Sequence, residues 1–204
     1  MPYDVTILTV RPGANALAIK RLGAWLQSNK LSGELIACLH AELGALNQIL
    51  MLRNHANEAS LAADRSKIVE SGEAFGIGDL TVATAMDTYV PFSFVEPIRP
   101  GRYGPVYEIR TYELKPGGLP PTIEAWRQSV PGRVKLSPLL AAMYTISGAV
   151  PRFMHIWPYA DLEARRRIRA QAIESGVWPP PGGPEHIAAQ QSDIFLPTPF
   201  SPSQ

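Results

Sequence analysis

The sequence predicts an α+β protein made of two tandem ferredoxin-like units, each with the element order β-α-β-β-α-β, whose sheets pair within one chain. The main observation is an internal repeat. Residues 107–117 (Y-E-I-R-T-Y-E-L-K-P-G) echo residues 3–13 (Y-D-V-T-I-L-T-V-R-P-G) at an offset of 104 positions. The match continues without a gap as far as residues 174–176, which repeat the Glu-Ser-Gly of residues 70–72.

The length of the repeat sets the domain organisation. A repeat of this size is a small domain, because the units of solenoid proteins usually have about 20–50 residues. We therefore predict a first unit over residues 1–97, a linker rich in proline and glycine over residues 98–105, and a second unit over residues 106–204.

In the first half, the strand signals are short apolar runs bounded by turn residues. The predicted strands cover residues 3–10, 35–43, 46–52 and 80–94. Leu22, Trp25 and Leu26 recur at helical spacing and predict a helix over residues 17–26. Asn57 is placed to accept a backbone N–H at the start of a second helix.

The second half repeats this order. Its predicted strands cover residues 107–114, 139–145, 150–157 and 187–196. Pro120 and Pro121 suit the first turn of a helix, where the backbone N–H groups have no partner, and Pro131-Gly132 predicts its end. Asp161 predicts the N-cap of the last helix. Two such units can bury the bare faces of their sheets against each other, which predicts a barrel.

Composition excludes several classes of protein. The chain is 46% hydrophobic and 18% charged, as in soluble globular proteins. Its formal charge of +1 gives no electrostatic basis for binding nucleic acid or an anionic membrane. We see neither a signal peptide nor an apolar run of about 20 residues that could span a bilayer, and predict a cytoplasmic protein. The single Cys38 excludes an internal disulfide and lies in an apolar run, which predicts a buried thiol.

Several stretches resemble the NIPSNAP family of the dimeric α/β-barrel superfamily. They are residues 107–117, M-H-I-W-P-Y-A-D-L-E-A-R-R-R (154–167), E-L-G-A-L-N-Q-I-L-M-L (42–52) and P-T-P-F-S-P (197–202). The resemblance, as two tandem copies, implies an intramolecular dimeric α/β-barrel. It implies no reaction, because the family has no agreed one, and the superfamily includes cofactor-independent monooxygenases and haem enzymes. Fold alone does not fix function.

Alternation along the strands groups the candidate site residues. Glu108, Arg110 and Tyr112 share one face of their strand, and His155 and Trp157 share one face of the neighbouring strand. We expect this polar set to face the barrel interior and to bind a ligand there, with Glu42 as a contribution from the first half. Internal ion pairing of Glu108 with Arg110, and a hydrogen-bonded core histidine, are the structural alternative.

The first half carries different residues at the matching positions, namely Asp4, Thr6, Leu8, Met51 and Arg53. The cavity is therefore expected to be asymmetric, with its polar end in the second half. The leading function is binding of a small, partly polar molecule without a cofactor. The alternatives are a cofactor-independent monooxygenase or isomerase, with His155 as general base and Arg110 at an oxyanion, and a protein-interaction scaffold.

Other features give weaker signals. Arg165, Arg166, Arg167 and Arg169 form a basic run that we interpret as a solvated helix face rather than an RNA site. The four histidines lack metal-ligand spacing, so no metal is predicted. Haem on His155 is implied only by analogy with the superfamily. The sequence does not decide whether the tandem barrel forms a homo-oligomer.

Overall fold

The computed structural model describes all 204 residues and has two successive β-α-β-β-α-β sets. The first set comprises β1 (Tyr3–Val10), α1 (Asn15–Ser28), β2 (Glu34–Leu43), β3 (Gln48–Asn54), α2 (Glu58–Ser71) and β4 (Thr81–Pro91). The second comprises β5 (Val106–Leu114), α3 (Leu119–Arg133), β6 (Ala141–Thr145), β7 (Arg152–Tyr159), α4 (Leu162–Glu174) and β8 (Ile187–Pro197). Both predicted orders are confirmed.

The eight strands form one closed antiparallel barrel in the order β1-β3-β2-β8-β5-β7-β6-β4. Within it the first half contributes β4-β1-β3-β2 and the second β8-β5-β7-β6, which is the same ferredoxin-like order twice. The halves join where β2 pairs with β8 and where β4 pairs with β6. The predicted pairing of two units as an intramolecular barrel is thus confirmed.

The buried side chains form three layers. The barrel interior is an apolar core to which both halves contribute, including Tyr3 and Val5 of β1 and Tyr107 and Ile109 of β5. Each half also has its own core between the outer face of its sheet and its two helices. Every strand therefore has both faces covered over part of its length.

This arrangement contradicts the predicted orientation of the polar set. Tyr107 and Ile109 lie in the barrel interior, whereas Tyr112 and Trp157 belong to the core beneath the helices of the second half. The physical reason is that a closed barrel excludes charge from its interior. The layer beneath the helices is open at its edges, and α4 supplies arginines that pair with Glu108 there.

The helix starts follow the predicted caps. Oδ1 of Asn57 accepts the Ser60 N–H at 2.8 Å, and Oδ1 of Asp161 accepts the Ala164 N–H at 2.6 Å. The predicted end of α3 is wrong, because the helix continues through Pro131-Gly132 to Arg133. Arg133, in this last turn, donates hydrogen bonds to the Ser137 and Tyr159 hydroxyls.

Two carboxylates hold the halves together. Oδ1 of Asp193 on β8 accepts the backbone N–H of Ala45 in the β2–β3 hairpin at 2.9 Å. Asp87 on β4 pairs with Arg152 at the start of β7 at 2.5 Å. Each half thereby presents a carboxylate from its last strand to the other half's central hairpin.

Cys38 lies within β2 and is fully buried, as predicted, and burial raises the pKa of its thiol to about 12. None of the helices has the length and apolar character that crossing a membrane requires.

Candidate ligand-binding site

A cavity of about 280 Å³ lies in the second half, between the outer face of the sheet and helices α3 and α4. The strands β5, β7 and β8 form its floor, and the segment after α4 forms its rim. Its lining residues are Arg110, Tyr112, Thr122, Trp126, Phe153, Arg169, Ile173, Trp178, Pro179, Pro180, Gly183, Pro184, Ile187 and Gln190.

Aromatic rings form the cavity's apolar wall. Thr122 and Trp126 face it together because residues four apart share one side of a helix. The Trp126 ring meets Phe153 edge-on at a centroid distance of 5.3 Å and Trp178 at 4.8 Å. Trp178 opens a proline-rich segment, which holds the rim with little conformational freedom.

Arg110 and Arg169 form the polar end of the cavity. Arg110 donates from Nε to Glu108 Oε1 at 2.8 Å and from Nη1 to the Tyr112 hydroxyl at 2.7 Å, while its Nη2 makes no hydrogen bond to the protein. The nearest ion-pair contact of Arg169 is Nη1 to Glu108 Oε2, at 3.7 Å. Both guanidinium groups thus have N–H donors to offer a ligand.

Glu108 is the carboxylate on which these arginines converge. It is fully buried, and its Oε1 also accepts from Arg165 Nη2 at 2.5 Å and from the Ser192 hydroxyl at 2.9 Å. Burial raises the pKa of Glu108, but the hydrogen bond from Arg165 and the charge of Arg110 outweigh burial and lower it to about 2. Glu108 is therefore ionised and positions the cations around it.

His155 lies deeper, in a second space that we call the inner chamber. It measures about 20 Å³ and is lined by Arg110, Arg133, His155, Trp157, Tyr159, Arg169, Ile173 and Trp178. Four of these residues also line or border the larger cavity, so the two spaces adjoin. The Trp157 indole donates to His155 Nδ1 at 2.7 Å, and His155 Nε2 is buried with no partner.

The hydrogen bond and the burial fix the state of His155. Burial lowers the pKa of this imidazole well below its usual 6.5, and the charge of Arg110 lowers it further. A neutral ring whose Nδ1 accepts a hydrogen bond carries its proton on Nε2. His155 therefore presents an N–H donor to the inner chamber. A chamber of about 20 Å³ has no room for a haem macrocycle at Nε2, so the site does not fit that cofactor.

The structure brings most of the predicted site residues together. Arg110 and Tyr112 line the cavity, His155 and Trp157 line the inner chamber, and Glu108 lies behind Arg110. They face the helices and not the space between the sheets, which corrects the predicted inter-sheet cavity.

Glu42 does not belong to the site. The pairing register of β2 with β8 shifts between Ala41 and Leu43, and Glu42 is exposed there and lines neither the cavity nor the inner chamber. The interpretation of the basic run also needs correction. Arg166 pairs with Glu163 at the surface, but Arg165 and Arg169 turn inward to Glu108. Their spacing of four was the available signal, because it places both on one helix face.

The deep part of the corresponding layer in the first half is filled, and what remains is an open groove of about 250 Å³ at its edge, lined by residues that include Ile68, Val69 and Met86. Phe75, from the segment after α2, is fully buried and packs in a core that includes Leu8, Leu22, Ile49 and Met51. These four occupy the repeat positions of Tyr112, Trp126, Phe153 and His155 in the second half. The Phe75 ring meets Trp25 edge-on at 5.5 Å. An aromatic side chain therefore occupies the place of the second half's cavity.

The buried carboxylate of the first half is also satisfied within the protein. Asp4, at the repeat position of Glu108, pairs with Arg53 and with Arg65, each at 2.6 Å. Arg65 occupies the repeat position of Arg169. The ion pairs recur in both halves, and Arg53 also keeps N–H groups without a hydrogen-bond partner, but only in the second half do the paired arginines line an open cavity.

Comparison with known proteins gives a consistent set of relatives. The NIPSNAP family model matches residues 107–202. A NipSnap homolog of Dictyostelium discoideum is 25% identical over 67% of this chain and 62% of its own length. Protein NipSnap of Drosophila melanogaster is 24% identical over 99% of this chain and 71% of its own. Human NipSnap homolog 3A is 29% identical over 73% of this chain, which spans 62% of that relative.

Two solved structures share the whole fold. An anthrone oxidase-like protein superposes with a TM-score of 0.69, 11% identity and coverage of 100% of this chain and 94% of its own. A candidate monooxygenase from Lactobacillus acidophilus superposes with a TM-score of 0.64, 12% identity and coverage of 97% and 94%. At this identity the likeness establishes the fold and not the chemistry.

Proposed function

We propose that the chain is a member of the NIPSNAP family, whose model matches residues 107–202, and that it binds a small, partly polar molecule in the second-half cavity. The ligand lies between the sheet and helices α3 and α4. Its apolar part packs against Trp126, Phe153 and Trp178, and its polar part accepts hydrogen bonds from Arg110 and Arg169.

The unpaired donors beside an apolar cavity are the observation that carries this proposal. Buried polar groups are normally hydrogen-bonded, and exceptions need an explanation. His155 Nε2, in the adjoining inner chamber, is such a buried group without a partner, and the partly exposed Arg110 Nη2 makes no hydrogen bond to the protein, whereas Arg110 Nε and Nη1 donate to Glu108 and Tyr112. A cavity of about 280 Å³ is at the low end of the usual ligand-site range of roughly 300–1,000 Å³, which favours a small ligand.

Closing the cavity tests the proposal. Ile173 lines both spaces and is 61% exposed, so Ile173→Trp adds bulk at the cavity without emptying the core. Val69 occupies the same repeat position in the first half and is 68% exposed, so Val69→Trp is a matched control. Native mass spectrometry of the purified proteins is expected to detect a retained small molecule in the wild type and in Val69→Trp, and to find it lost in Ile173→Trp.

Retention of the same molecule by Ile173→Trp, in a folded variant, would place the ligand elsewhere and overturn the proposal. Complete absence of small molecules from the wild type, together with no binding of added compounds, would do the same.

Catalysis without a cofactor is the second candidate, and the buried, unpartnered Nε2 of His155 favours it. The roles differ from those expected from the sequence. Nδ1 is occupied by the Trp157 N–H and the pKa of the ring is lowered, so His155 acts as a hydrogen-bond donor to a developing oxyanion rather than as a general base. Arg110 assists at the same oxygen. If the protein is a cofactor-independent monooxygenase, we expect it to consume oxygen when the molecule identified by mass spectrometry is added. We expect His155→Gln to lose this oxygen consumption.

A further inference from the structure

The charge around the inner chamber is unbalanced. Arg110, Arg165 and Arg169 all form their ion pairs with Glu108, and Arg133 forms none. Arg133 is buried, donates to the Ser137 and Tyr159 hydroxyls, and lies over the Trp157 ring at 4.2 Å. Glu108 is therefore the one carboxylate beside four guanidinium groups, and it pairs with three of them. Arg133 is buried and the other three arginines are partly shielded from water, so this excess of positive charge favours an additional anion.

The polar groups that face the chamber are mainly hydrogen-bond donors, and the Tyr159 hydroxyl, which accepts from Arg133, has its own O–H to donate. His155 is 1% exposed, and its Nε2 presents an N–H to the chamber without a partner. Arg110 and Arg169 offer further N–H donors, and a guanidinium has no acceptor. A lining made of donors selects a ligand group that only accepts hydrogen bonds. A neutral amide or alcohol would bring N–H or O–H groups of its own and satisfy fewer of them.

The size of the inner chamber distinguishes a carboxylate from a phosphate. A space of about 20 Å³ holds a single water-sized group, such as one oxygen atom. A planar carboxylate can place one oxygen in the chamber beside His155 and leave the other to accept hydrogen bonds from Arg110 and Arg169. A tetrahedral phosphate with one oxygen in the chamber leaves two terminal oxygens outside it, beside the apolar wall as well as the arginines, which makes it the poorer fit.

The adjoining cavity describes the rest of the ligand. Its walls are the flat rings of Trp126, Phe153 and Trp178, and aromatic rings stack or meet edge-on with other flat rings. We infer that the inner chamber is an anion subsite, and that the ligand class of the second-half cavity is a small aromatic monocarboxylate with its carboxylate toward His155. This inference rests on the proposed function and makes it specific.

Three probes of similar size test the inference: benzoate, its neutral near-isostere benzamide, and phenyl phosphate. Their binding to the full chain is measured by calorimetry, and by quenching of tryptophan fluorescence because three tryptophans border the site. Benzoate is expected to bind at least about tenfold more tightly than either of the other two, which corresponds to about 1.4 kcal/mol.

Two neighbouring arginines provide a matched pair of variants. Arg169 has a side chain 31% exposed and only the 3.7 Å contact with Glu108, so Arg169→Gln leaves the tight ion pairs in place. Arg166 lies on the same helix and pairs with Glu163 at the surface. Arg169→Gln is expected to weaken benzoate binding about tenfold and to leave benzamide unchanged, whereas Arg166→Gln changes neither.

The outcomes separate the two proposals. If benzamide binds as tightly as benzoate, and Ile173→Trp abolishes both, the cavity binds ligands but the carboxylate inference is overturned. Tighter binding of phenyl phosphate, or unchanged benzoate binding in Arg169→Gln, also overturns the inference alone. If Ile173→Trp leaves benzoate binding intact, both proposals fail. If none of the probes binds while a native ligand is retained, only the carboxylate inference fails.

Discussion

The indole N–H of Trp157 donates a 2.7 Å hydrogen bond to Nδ1 of His155, two residues earlier on the same strand. Two side chains that face the same way along β7 thereby select one tautomer of the imidazole. The proton on Nε2 points to a chamber bordered by three arginines. Adding a second proton to His155 is unfavourable because arginines surround the ring. The single proton therefore stays on Nε2, where a ligand can accept a hydrogen bond from it.

We expect His155 to stay neutral as the pH is lowered through 6.5. Burial is the main cause of its lowered pKa, followed by the charge of Arg110. Nitrogen-15 NMR is expected to show that the Nε2–H tautomer persists as the pH falls below 6.5. Trp157→Phe removes the donor to Nδ1 and is expected to give a mixture of tautomers. An imidazolium signal of His155 near pH 6.5 in the wild type would contradict this.

The same residue contributes to the pH dependence of stability. In the unfolded chain His155 binds a proton below pH 6.5, whereas in the native protein it does not, so the free energy of unfolding falls as the pH decreases below 6.5. The slope is at most about 1.4 kcal/mol per pH unit for one group. His155→Gln is expected to show a shallower slope in urea titrations. His55, whose pKa is also lowered by burial, accounts for part of what remains.

We expect Glu108→Gln to lower the free energy of unfolding by about 3–5 kcal/mol at pH 7, because it leaves several guanidinium groups without their carboxylate. The folded pKa of about 2 lies below the usual 4.5, so the contribution of Glu108 is complete above pH 4.5 and is lost as the pH falls toward 2. Urea denaturation at several pH values measures it. In Glu163→Gln, which breaks an exposed pair, we expect no measurable change. Equal effects of the two substitutions would contradict this account.

Removing the Phe75 ring is expected to open a cavity in the first half. Phe75→Ala should cost about 3–5 kcal/mol of unfolding free energy, whereas Phe75→Leu should cost clearly less. The space would be lined mainly by apolar side chains, with the Arg53 guanidinium 5.5 Å from the ring's centre, and therefore suits a small aromatic molecule such as benzene. Benzene is therefore expected to raise the melting temperature of Phe75→Ala by more than it raises that of the wild type, in which the Phe75 ring already fills this space. Failure of Phe75→Ala to lose stability would show that the ring does not fill that layer.

Substitutions at two glycines distinguish the effect of backbone strain on stability from the effect of a steric clash. Gly13 and Gly44 have φ values of 80° and 102°, but a Cβ on Gly13 meets nothing within 4 Å, whereas one on Gly44 lies 1.9 Å from Asp193 Oδ1. Gly13→Ala is expected to cost about 1–2 kcal/mol. Gly44→Ala should cost more, since it displaces Asp193 from the Ala45 N–H.

Adding Asp193→Ala to Gly44→Ala tests this cause. The double variant is expected to lose less stability than the sum of the single losses, because both changes break one contact between the halves. Additive losses would show that the steric contact is not the cause.

The repeat and the residue periodicities were sufficient to predict the fold, because each half carries the same turns, caps and apolar spacing. They could not predict which sheet face forms the barrel interior. Tyr107 and Glu108 lie on opposite faces of β5, and both side chains are fully buried. The alternation of side chains along a strand therefore shows which residues share a face, but not which face lines the barrel interior.

The site was predicted in part for the same reason. Arg110, Tyr112, His155 and Trp157 were grouped correctly because they are on neighbouring strands in register. Arg169 was missed because a run of arginines on a helix is usually solvated, and its partner Glu108 lies 61 positions earlier in the chain. Glu42 was included on family resemblance, and the shift in strand register at that point could not be derived from the sequence.

Phe75 has a consequence for stoichiometry. A barrel assembled from two identical units would offer two equal cavities, and binding at one could influence the other. In this chain one unit fills its own cavity with a ring from its own sequence. Titrations should therefore follow a single-site isotherm, with one equivalent per chain and no cooperativity between halves. The filled unit contributes stability, which leaves the sequence of the other freer to change with the ligand it binds.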